Sequence, residues 1–141
     1  MFENTTIYGV GAIGGWIGAR LAAQGVHVSA VARGPTLAAL RENGLRLIEA
    51  GADGQPHERA FTVAAAAAPA ELGVQDLVIV AVKAPAMADV ARQIGPLLGP
   101  DTVVLTAMNG LPWWFLQGFG GAFAGARLQA VDAGGAIAQA I

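Results

Sequence analysis

Along the chain, short apolar runs alternate with segments in which apolar residues recur every three or four positions. Residues 5–10 (TTIYGV) are β-branched, apolar and closed by glycine, a pattern that predicts a buried strand. Residues 12–24 (AIGGWIGARLAAQ) carry helical spacing, and Gly25 follows where a helix C-cap belongs. Residues 26–32 (VHVSAVA) predict a second strand, and residues 35–43 a second helix opened by Gly34-Pro35. Two alternating segments then flank a Gly/Asp/Pro-rich turn over residues 45–65, as in a β-hairpin or a pair of short edge strands. The alanine run 64–68 predicts a loop. Residues 77–82 (LVIVAV) are apolar at every position, as a central parallel strand must be. A helix over 84–98, a strand over 102–108 and a short helix over 112–117 complete the pattern. The order β-α-β…β-α-β implies an α/β fold of the Rossmann-like, doubly wound type, with a mainly parallel sheet and helices on both faces.

Composition narrows the choices of function. The 141 residues include 8 Lys and Arg against 10 Asp and Glu, a formal charge of −2, and only 13% are charged. Such a chain lacks the clustered cations that nucleic-acid binding needs. Zero cysteines exclude a disulfide scaffold or a thiolate metal site and fit a cytoplasmic setting. A mean hydropathy of +0.54 raises the question of a membrane span. The longest uncharged stretch, 102–126, is broken by Asn109-Gly110, Pro112 and a glycine cluster, so it predicts no span. His27 and His57 have no neighbouring ligand set, and no metal site is expected.

The chemistry concentrates in the turn Gly9, Val10, Gly11, Ala12, Ile13, Gly14, which closes a strand and opens a helix as a dinucleotide fingerprint does. Gly9 makes the tight turn, Gly11 leaves room for a pyrophosphate, and Gly14 lets the helix approach the strand. The free N–H groups and dipole of the helix start then favour the anion. No acidic residue lies between Glu3 and Glu42, whereas Arg33 stands at the end of the second strand. A ribose-binding carboxylate is the mark of NAD, and an arginine suits the 2′-phosphate, so NADP is expected. Lys83 and Asn109 each follow an apolar strand directly and are expected to face the same crevice. The alternatives are a ligand-free glycine turn, a solvated arginine or lysine and a simple Asn-Gly turn.

The strings GVGAIGGWIGARLAAQG, VARGPTLAALRENGLRL, VIVAVKA and MNGLPWW, in this order and spacing, resemble the amino-terminal half of ketopantoate reductases (2-dehydropantoate 2-reductases). The resemblance implies NADPH-dependent reduction of ketopantoate to pantoate, on the route to pantothenate and coenzyme A. By position it gives the pyrophosphate to Gly9–Gly14, the 2′-phosphate to Arg33, the cofactor's side to Lys83, and nicotinamide ribose and substrate to Asn109. It places the catalytic proton donor, a lysine, on a separate helical domain, so no catalytic residue is expected in this chain. Residues 1–141 are read as one dinucleotide-binding domain, ending before its last strand and lacking the helical second domain. Trp113, Trp114, Phe115 and the Gly/Ala-rich tail are expected on a surface facing that domain, which a homo-oligomer contact could cover instead. Two further readings stay open: an NADP-binding module without turnover, and a reductase for another 2-keto acid.

Overall fold

A computed structural model describes residues 2–141. Five parallel strands form the central sheet: β1 (Asn4–Tyr8), β2 (His27–Val31), β5 (Ala64–Ala66), β6 (Leu77–Val80) and β7 (Val103–Thr106). Their order across the sheet is β5-β2-β1-β6-β7. The chain winds from β1 to one edge, then returns to the other side of β1 with β6. The crevice above the carboxyl ends of β1 and β6 is therefore the topological switch point, where open α/β sheets bind ligands. The hairpin β3 (Leu45–Ala50) and β4 (Pro56–Phe61) forms a separate antiparallel pair in the register Leu45↔Phe61 to Ala50↔Pro56.

Alternation along the strands builds two cores. Ile7, Ala30, Leu77 and Ile79 face α1 (Ala12–Ala23), α2 (Gly34–Asn43) and the buried Leu45 and Leu47 of the hairpin. Tyr8, Val31, Val78 and Val80 face α3 (Met87–Gln93) and the short α4 (Ala136–Ala140). Helices thus cover both faces of a parallel sheet, as the apolar strand β6 requires. Between β1 and β2, the buried hydroxyls of Thr6 and Ser29 share a 2.6 Å hydrogen bond. Asp76 links the starts of β1 and β6, its carboxylate accepting from the N–H groups of Glu3 and Asn4 at 2.9 Å each.

Three elements differ from the sequence pattern. The alanine run expected as a loop supplies β5, whose residues pair with Ser29, Ala30 and Val31. Parallel pairing is a backbone matter, and an edge strand needs little side-chain signal. The helix expected over 84–98 is broken into a 3-10 turn (Ala84–Ala86), α3 and a second 3-10 turn (Gly95–Leu97). Pro85 and Pro96 lack the amide hydrogen that a continuous helix would use, so each sits at the start of a short turn. Residues 112–117 form overlapping four-residue turns rather than a helix, with Phe115 N–H donating to the Pro112 carbonyl and Gln117 N–H to that of Trp114.

Candidate functional site

The glycine turn is built by steric demand. Gly9 has φ +97°, in the left-handed region that favours glycine, and a Cβ there would lie 2.6 Å from Val82 Cγ1. A Cβ on Gly14 would overlap the Gly9 carbonyl oxygen, and one on Gly18 would lie 2.9 Å from Ile7 Cγ1. Helix α1 is therefore pressed onto β1 through Gly14 and Gly18, and this packing offsets their helix cost of ~1 kcal/mol each. Gly11 differs: it is the N-cap of α1 with extended backbone, and a Cβ on it would meet nothing within 4 Å. The first helical bond runs from Gly15 N–H to the Gly11 carbonyl, so the Ala12, Ile13 and Gly14 amides precede it at the open end of the helix. No acidic side chain stands in that first turn.

Two adjoining cavities flank this turn. One, of about 350 Å³, is bounded by Gly9, Val10 and Gly11 on one side and Arg33, Val82 and Val90 on others. The second, of about 580 Å³, is bounded by Gly11, Ala12 and Ile13 together with Lys83 and Asn109. The structure thus brings Lys83 and Asn109 to one crevice with the glycine turn, as the strand order requires. Both are exposed. Lys83 precedes the 3-10 turn after β6, and Asn109 precedes Gly110, whose φ is +91°. Arg33 is the extended N-cap of α2 and is exposed. Neither Arg33 nor Lys83 makes an ion pair among the described residues, although Arg20, Arg41, Arg46 and Arg92 all do.

Three polar residues that the motif reading passed over also line the first cavity: Tyr8, Thr36 and Asp89. Tyr8 is the phenol immediately before Gly9 in an otherwise apolar strand, a signal visible in the sequence. Thr36 lies three positions after Arg33 in the first turn of α2. Asp89 comes from α3, and no spacing rule links it to the glycine turn. Burial pushes the Tyr8 phenol above its ordinary pKa, while the Arg33 guanidinium pulls it down.

Trp113, expected on an exposed face, is instead buried in the α3-side core at 7% exposure. Only Trp114 and Phe115 of that trio are exposed. His57 pairs with Asp53 at 3.1 Å in the hairpin turn, away from both cavities. Among the described residues no cluster of metal-ligating side chains exists. Nor, among the described residues, is any helix long and apolar enough to cross a membrane.

The arrangement has counterparts among known proteins. The chain is 51% identical over 137 residues to a 2-dehydropantoate 2-reductase of Mesorhizobium japonicum, covering 96% of this chain and 40% of that protein. It superposes with a TM-score of 0.89 on the crystal structure of a candidate ketopantoate reductase from Ralstonia solanacearum, at 52% identity, covering 100% of this chain and 42% of the other. A ternary structure of D-mandelate dehydrogenase with NADH and anilino(oxo)acetate matches at a TM-score of 0.60 and 28% identity, over 76% of this chain and 34% of that one. The chain thus spans about two fifths of the length of its first two relatives. The family model described as ketopantoate reductase PanE/ApbA matches residues 5–112, from the first strand through the glycine turn to the strand end at Asn109, and the chain belongs to that family.

Proposed function

We propose that this chain is the cofactor-binding domain, residues 1–141, of an NADPH-dependent reductase that converts 2-dehydropantoate to pantoate in a cytoplasmic setting. The observation that carries the reading is the pairing of a sterically enforced glycine turn with Arg33. That arginine is free of carboxylate partners among the described residues, at the rim of the adjoining cavity. The residues fit a dinucleotide. Gly11 leaves open space above the backbone, and the first amides of α1 lie at the open end of the helix, whose first turn holds no acid to repel a pyrophosphate. Gly9, Val10, Gly11, Ala12, Ile13 and Gly14 would hold the pyrophosphate, and Arg33 would hold the 2′-phosphate through paired N–H donors.

When bound, the nicotinamide supplies the hydride for reduction of a keto group. On this chain's side, Lys83 offers a cation beside the cofactor. Asn109, across the same cavity, offers a donor and an acceptor to the nicotinamide ribose and to a 2-keto-acid substrate. No residue of this chain is assigned as the proton donor.

The test is a fluorescence titration with NADPH and NADH, repeated on Arg33→Ala. A charge-assisted phosphate contact contributes about 1.5–3 kcal/mol, so NADPH should bind roughly ten- to a hundredfold more tightly, and Arg33→Ala should remove most of that difference. Equal curves for the two cofactors would overturn the assignment. A second reading, a reductase of another 2-keto acid, is favoured by the similarity to the D-mandelate dehydrogenase structure, which holds NADH and an oxo acid. A panel of 2-keto acids assayed on the parent enzyme separates the two.

A further inference from the structure

Tyr8 has a buried hydroxyl without a hydrogen-bond partner. The side chain is 4% exposed and borders the cavity that also takes in Arg33. In a well-packed core such a group loses its water without compensation, so its retention beside a candidate ligand cavity asks for a partner. Thr5 has the other unpaired buried hydroxyl, but it does not border the cavity.

The sheet register identifies the partner. Tyr8 pairs with Val31 across the β1–β2 ladder, and both side chains enter the core on the α3 side. Beyond Val31 the backbone stays extended at Arg33, with φ −133° and ψ 160°. Alternation therefore brings Arg33, two residues further on, to the same face as Tyr8. Burial raises the phenol's pKa, the Arg33 guanidinium favours the ionised form through its charge and its N–H donors, and the Asp89 charge opposes ionisation. Asp89 is itself hydrogen-bonded to Arg92. Arg33 has no such commitment among the described residues.

We infer that the Tyr8 hydroxyl is the anchor for Arg33: one N–H of the guanidinium donates to the phenol oxygen, leaving the remaining donors aimed into the cavity. Tyr8 is thus a positioning residue for cofactor choice, and the inference rests on the proposed role of Arg33. A guanidinium carries five N–H donors in a rigid fork, so one edge can be held by the protein while another meets a phosphate. Holding a long side chain in place before binding lowers the ordering cost that the ligand must otherwise meet. Tyr8 therefore acts on the phosphorylated cofactor only, since Arg33 has nothing to grip on the other.

The experiment measures Kd for NADPH and NADH on the unaltered chain, Tyr8→Phe, Arg33→Ala and the double variant. A single neutral hydrogen bond predicts a loss of about two- to tenfold in NADPH affinity for Tyr8→Phe, with NADH affinity unchanged. Adding Tyr8→Phe to Arg33→Ala should change neither Kd. Thermal stability of Tyr8→Phe should fall by no more than the loss of one hydrogen bond allows, and weakening confined to NADPH separates anchoring from a structural role. Equal weakening toward both cofactors would overturn the inference, as would no weakening while Arg33→Ala remains impaired. If Arg33→Ala itself binds NADPH normally, both the inference and the cofactor assignment fall.

A second readout needs no change at Tyr8. It is the single tyrosine of the chain, so the ultraviolet signal of phenolate formation reports it alone. Arg33→Ala should move that titration to higher pH, because the cation that favours phenolate is gone. An unmoved titration would overturn the contact.

Discussion

The first strand–turn–helix unit and the last sheet strand use similar residues to different ends. Around β1, every apolar position is covered on both faces, and α1 lies so close that two of its glycines admit no side chain. On β7, Val103 and Leu105 pair with Leu77 and Ile79 yet remain 45% and 46% exposed on the α1 side. Beyond it Phe115 and Phe119 meet at a tilt with centroids 5.8 Å apart, and Phe119 and Phe123 meet edge to face at 6.2 Å, all three exposed. The same sheet is thus sealed beside the glycine turn and open along β7. A parallel sheet is stable when both faces are buried, and contiguous exposed apolar patches mark contact surfaces. Rigidity and unsatisfied burial are separated along one sheet.

The sharpest way to break the contrast is at the sealed end. Gly14→Val should destabilise the fold by about 3 kcal/mol or more, because a Cβ there overlaps backbone that cannot move aside. Denaturant unfolding measures this, and a loss below 1 kcal/mol would show that α1 is loosely docked. Gly11→Val, three residues earlier, meets open space and should leave the circular dichroism spectrum and unfolding midpoint unchanged while abolishing NADPH binding. Retained binding would remove the turn from the proposed site.

At the open end, the aromatic patch should drive self-association. Phe119→Asp places a charge at the middle of the ladder and should shift sedimentation toward the monomer, with little change in thermal midpoint. A chain already monomeric at high concentration would show that the patch is inert. The smallest effect belongs to Asp76. Bonds from the Asn4 and Glu3 amides hold its carboxyl below the ordinary carboxylate range. Its stabilisation is therefore present above the ordinary carboxylate pKa and fades as pH falls through the depressed folded value. Asp76→Asn should flatten the acid limb of the stability curve by lowering the neutral plateau, leaving the stability at low pH unchanged. An unchanged limb would mean that the link between β1 and β6 carries no ionic contribution.

The strands β1, β2 and β6, the helix α1 and the hairpin were legible in the sequence, because buried strands and close-packed helices impose periodicity and glycine placement locally. Gly9, Gly11 and Gly14 were equally legible, since a strand–turn–helix junction states its steric needs within six residues. The edge strand β5 was not. Its alanines carry no pattern, and it exists because the backbone of β2 offers a free edge. The interruptions around α3 trace to Pro85 and Pro96, a local signal that the sequence carried, since neither has the amide hydrogen of a continuous helix.

By itself, the sequence determined the α/β winding, the glycine turn and the presence of Arg33, Lys83 and Asn109 at strand ends, because each follows from local periodicity. Only the tertiary structure decided that Lys83 and Asn109 share one cavity with the turn. It alone buried Trp113 and brought Tyr8 and Asp89 to the cavity that Arg33 borders. Those facts depend on strand order, register and the face each side chain takes. Such relations join residues dozens of positions apart, and no local pattern encodes them.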